Sequence, residues 1–111
     1  MKIEFKRLDL RPYPGQIFLF NRLDFLRAKY TSMTGLPYDW QDEPTGGRYI
    51  RVEGEKAKDT IWLVYGRKPH VLAHEFTHVL LQTFERIGTH PADGNGEPFC
   101  YLLSQLMIDA R

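Results

Sequence analysis

Apolar positions recur along this chain with two different periods. Over residues 2–6 (KIEFK) and 48–53 (RYIRVE) they alternate with polar ones, the signature of a half-buried strand. Residues 16–20 (QIFLF) and 60–65 (TIWLVY) are short apolar runs rich in β-branched and aromatic side chains, which predicts buried strands. Elsewhere the period is helical. Leu23, Leu26, Tyr30 and Met33 form one face, with Asn21 placed to cap the helix, Gly35 just past its end and Pro37 beyond. Leu72, Phe76, Val79, Leu80, Phe84 and Ile87 form a second apolar face. They predict a helix from about Pro69 to Ile87, with proline suited to its first turn and Gly88 as its stop. A last helix is predicted from Glu97 or Pro98 to Ile108. Pro12, Pro14 and Gly15 break the chain between the first two strands, and 38–47, 54–59 and 89–96 read as turns and loops. Strands and helices are thus mixed without regular alternation, which predicts an α+β fold.

The 111 residues suit a single domain spanning 1–111, and 42% hydrophobic content supplies a real core, which excludes global disorder. Fifteen basic groups stand against 14 acidic ones. That near balance argues against a dedicated nucleic-acid binder. The first 30 residues are mildly basic, which reads as a solvated face. Cys100 is the single cysteine, so no internal disulfide is possible and a reducing compartment suits the chain. The N-terminal stretch MKIEFKRLDLRPYP lacks the apolar core of a signal peptide. No apolar run approaches the length of a membrane span. A cytoplasmic protein with no membrane association is therefore expected.

The chemistry concentrates at residues 74–78, His-Glu-Phe-Thr-His, an H-E-x-x-H motif. Four residues apart on a helix, His74 and His78 project from one face and can hold one divalent ion. Glu75 sits beside that face. It can reach a metal-activated water and take its proton as general base. Chance placement yields such a motif roughly once in a hundred shuffles, so its setting matters. Here it lies within a well-patterned helix that follows the strongest strand.

A catalytic zinc site also needs a third protein ligand. Glu97 follows His78 by nineteen residues and opens the last helix after a loop long enough to reverse direction. His90 and Asp93 sit in that loop, and Cys100 lies one turn into the last helix. All four are candidates, Glu97 first and His90 next.

The motif followed by Glu97 resembles the zincin metallopeptidases with a glutamate third ligand, the gluzincins. The stretch HEFTHVLLQTFERIGTHPADGNGEPFCYLLSQL is also similar to small zincin-like metallopeptidases encoded by tailed bacteriophages and prophages. The resemblance covers residues 60–108, about half the chain. It implies a minimal zincin-like fold: a small mixed sheet of three or four strands, three helices, and the motif on the central helix. It implies Zn2+ as cofactor, His74, His78 and Glu97 as its ligands, and Glu75 as catalytic base. It also implies an edge strand that pairs with an extended peptide. Many gluzincins carry an acidic residue four positions after the ligand glutamate. Here that position is Tyr101, whose hydroxyl is placed to orient a ligand or stabilise an oxyanion unless the residue is core. The third histidine of the metzincins is replaced by Phe84, and the upstream cysteine of peptide deformylases is absent.

Trp62 and Phe18 read as core, while Tyr49 and Tyr65, each near a strand end, are candidates to line a groove. His70 is expected to be exposed at the helix start. The Asp93–Gly96 run lacks the spaced carboxylates of a calcium loop and reads as turn chemistry. The expected function is a zinc-dependent peptidase acting on a peptide or protein substrate. The alternatives are a zincin-fold morphogenesis factor with little turnover, partnered by phage structural or assembly proteins, and a metal-free binding domain.

Overall fold

Alternation along each strand sends side chains to two opposite faces, and in this protein both faces are covered. The computed structural model describes residues 2–39 and 46–111. Its strands are β1 (Lys6–Asp9), β2 (Gln16–Phe20), β3 (Arg48–Val52) and β4 (Ile61–Tyr65). Its α-helices are α1 (Leu23–Thr34), α2 (Pro69–Arg86) and α3 (Glu97–Asp109). The sheet order is β1-β2-β4-β3. β2 and β4 are parallel neighbours, and β1 and β3 pair antiparallel on the outside.

Ile17, Leu19, Trp62 and Val64 point to one face and pack with Phe76, Val79, Leu80 and Phe84 of α2 and Leu102 and Leu106 of α3. Phe18, Phe20, Leu63 and Ile50 point to the other and meet Phe25, Leu26 and Tyr30 of α1. The result is one helix below the sheet and two above it. Runs such as QIFLF are continuous rather than alternating because the two central strands are buried on both sides. Each such side chain contributes about 1.5–3 kcal/mol of transfer free energy, which makes this core the main support of the fold.

The α+β class and the four-stranded mixed sheet with three helices agree with the sequence pattern. Several boundaries differ. The first strand lies at Lys6–Asp9 rather than 2–6, because Leu8 and Leu10 are the residues that bury. The α1 N-cap is Arg22 rather than Asn21, and it makes no side-chain cap bond. Instead Asp24 accepts from the Phe25 N–H at 3.0 Å and from Arg22, whose hydrogen bonds hold its carboxyl below the usual carboxylate range. Ile87 lies past the end of α2 and is 41% exposed, so it is not part of the core face. The loop expected over 38–47 lies, across 40–45, outside the described residues. Among the described residues no helix is long and apolar enough to cross a membrane.

Candidate metal site

Only three residues connect Tyr65 to the start of α2 at Pro69, so the helix runs back antiparallel to β4. It therefore lies parallel to β3, the edge strand. Contacts between the two climb in step: Gly47 meets Val71 and Glu75, Tyr49 meets His78, Arg51 meets Gln82, and Glu53 meets Arg86. Val71, Glu75, His78, Gln82 and Arg86 form the stripe of α2 that faces the edge strand, and His74 stands exposed beside it, one turn before His78.

The two imidazoles converge. Their Nε2 atoms are 3.2 Å apart, with ring centroids 4.7 Å apart at an interplanar angle of 77°. As a hydrogen bond, this contact needs one Nε2–H donor and one Nε2 acceptor. As ligands, both atoms present lone pairs. Two ligands about 2.0–2.1 Å from one tetrahedral ion are themselves about 3.3 Å apart, so the observed spacing fits that role. His74 is exposed and His78 half-buried, which leaves the pair open on one side.

Glu75 lies on the stripe that faces β3 and is buried. Its carboxylate lies against the chain where it enters β3: a Cβ added to Gly47 would sit 2.7 Å from Glu75 Oε1 and 2.6 Å from Val71 Cγ1. Gly47 is thus a site residue. In the sequence it reads only as a loop breaker, because the approach that demands it is between distant parts of the chain.

The other expected residues fall elsewhere. Glu97 opens α3 and is exposed. Helix α3 packs along α2 and over β1, on the opposite side of α2 from β3. Phe99 meets Phe84 with ring centroids 5.4 Å apart. Phe84 is six residues beyond His78, which is about 9 Å along the helix and about a third of the way round it. Among the described residues His, Cys, Asp and Glu nowhere gather in a group of three able to hold an ion. The expected trio of His74, His78 and Glu97 is therefore not assembled. Tyr101 is 75% exposed beside Arg11, Pro12 and Pro98, and so is neither core nor near the histidines. Leu102 and Leu106 take the buried stripe of α3, which turns Tyr101 outward.

His90 and Asp93 are spent on their own turn. The His90 N–H donates to Asp93 Oδ2, and His90 Nδ1 accepts from the Ala92 N–H, both at 3.0 Å. Cys100 and His70 are exposed. Trp62 and Phe18 are core as expected, and Tyr65 packs with the α1 cluster. Tyr49, by contrast, lies flat against His78, with centroids 4.7 Å apart and planes 14° apart.

With Glu97 across the helix, Glu97→Ala is expected to leave zinc affinity unchanged. Loss of a true ligand would exceed the roughly 10–100-fold cost of losing an outer partner. Competition against a chromophoric chelator measures it. A drop of that size would mean that α3 reaches the histidines after all.

Comparison with protein-family models, with curated proteins and with solved structures returns no match for this chain.

Proposed function

We propose that the protein is a zinc-dependent hydrolase of minimal zincin type that cleaves peptide bonds. The observation that carries this reading is the convergence of His74 and His78 Nε2, 3.2 Å apart, on the rim beside an edge strand. His74 and His78 would supply two of the ion's ligands, and among the described residues no third His, Cys, Asp or Glu joins them. When bound, zinc supplies Lewis-acid polarisation of a carbonyl and of water. Glu75 takes a proton at its carboxylate from the attacking water and returns it to the leaving amine. Among the described residues β3 pairs with β4 alone, so its outer edge offers backbone donors and acceptors to an extended peptide. Such a peptide would be bound alongside the histidine stripe. The exposed Cys100 suits a reducing environment, and the reading places the protein in the cytoplasm.

The test is a zinc titration of the full chain followed by thermal unfolding. One zinc per chain is expected, with a midpoint that rises with free zinc, because an ion that binds only the folded state stabilises it by mass action. Absence of stoichiometric zinc would overturn the reading. Stoichiometric zinc without turnover on any peptide would favour the alternative, a zincin-fold assembly factor bound to phage structural proteins.

A further inference from the structure

We infer that Tyr49 is a positioning residue for His78, clamping the imidazole in the orientation that aims Nε2 at His74. The inference rests on the metal reading above. Tyr49 lies at the second position of β3, with its ring against Trp62 on one side and parallel to the His78 imidazole on the other. An imidazole on a helix has two rotatable bonds, and its ring torsion is soft. A flat aromatic neighbour at 4.7 Å removes most of that freedom. An ion arriving at the pair then finds one ligand already ordered and does not have to pay for its ordering.

Tyr49 is itself held. Gln82 Nε2 donates to its hydroxyl at 3.3 Å, and Arg51 Nη1 donates to Gln82 Oε1 at 3.1 Å. Arg51 pairs with Glu53 Oε1 at 2.5 Å, and Arg86 reaches Glu53 Oε2 at 3.1 Å and the buried Thr60 hydroxyl at 2.6 Å. The chain of contacts runs from Thr60, beside β4, to the tyrosine and crosses repeatedly between the β3 segment and α2. Its ion pairs are partly exposed, so each adds little stability. Their effect is geometric. They fix the tyrosine hydroxyl, while the ring fixes the histidine.

The measurements are zinc affinity of the full chain by chelator competition, and the visible spectrum with cobalt in place of zinc. Circular dichroism confirms the fold of each variant. Tyr49→Phe keeps the ring and loses the hydroxyl, and should bind zinc within about twofold of wild type. Tyr49→Leu removes the ring, and should bind about tenfold more weakly, at the low end for an outer-partner loss, with a shifted cobalt spectrum. Should Tyr49→Leu not fold, Tyr49→Ile, which favours strands, takes its place. Wild-type affinity and an unchanged cobalt spectrum in the ring-less variant would overturn the inference and leave the metal reading standing. An equal loss in Tyr49→Phe would also overturn it, assigning the effect to the hydroxyl. A wild-type chain that binds no zinc would remove both.

Discussion

Glu75→Gln is expected to keep its zinc and to lose hydrolysis by a factor of about 100–10,000, the usual contribution of a positioned general base. The two properties separate because the residues have separate places. The histidine nitrogens meet at the open side of α2, whereas the Glu75 carboxylate is buried against Gly47. Glutamine preserves the volume and keeps hydrogen-bonding capacity in that buried position, so the packing around Val71 and Gly47 should be retained. What it lacks is an oxygen able to accept and carry a proton. His78→Ala should give the opposite pattern, losing stoichiometric zinc and activity together. Elemental analysis and turnover of quenched fluorescent peptides, measured on both variants, decide the matter. A Glu75→Gln protein that still turns over would exclude Glu75 as the base. One that folds but has lost zinc would make the carboxylate part of the metal's own support.

The division between what could be read in the sequence and what could not follows the distance over which each interaction acts. The motif was legible because His74 and His78 are one helical turn apart, and Pro69 and the residues before Gly88 bracket that helix locally. The central strands were legible because helices on both sides of the sheet force continuous apolar runs such as IWLVY. The regular KIEFK alternation points to a strand over 2–6, whereas β1 forms at Lys6–Asp9. Its actual position is set by the burial of Leu8 and Leu10 under α2 and α3, which is a tertiary effect. The same packing sets where Glu97 lies. A loop that reverses direction fixes that α3 lies along α2 but not on which side. Leu102 and Leu106, packed with Leu8 and Leu10, place it over β1, away from the edge strand. Tyr49 could be picked out as a groove candidate from its place near a strand end. Its partner, His78, is visible only once β3 and α2 are known to run side by side.

Gly47→Ala should unfold more easily than wild type by about 2 kcal/mol, and should also lose activity, although Gly47 donates no side chain to any reaction. A methyl group there would meet Val71 Cγ1 at 2.6 Å and Glu75 Oε1 at 2.7 Å, closer than such atoms ever approach. Overpacking of this kind costs about 1–3 kcal/mol. Opposing it, alanine restricts the unfolded chain and recovers about 0.4–1 kcal/mol, so the clash wins as long as one of the two neighbours cannot give way cheaply. Val71 cannot, because a β-branched side chain on a helix has essentially one χ1 well. The flexible Glu75 side chain can, and its carboxylate then leaves the position from which it would take a proton. Stability and activity are therefore lost by different routes, and a second substitution tells them apart. Val71→Ala removes the rigid half of the clash. In the double variant the two stability losses should sum to less than their separate values, with a coupling of about 1 kcal/mol, within the range for residues in contact. Activity should stay low, because the methyl of residue 47 still crowds Glu75. Denaturant unfolding of the four proteins in that cycle measures the coupling. Strict additivity would show that β3 does not press on α2 at this point, and that Gly47 serves only the loop before it.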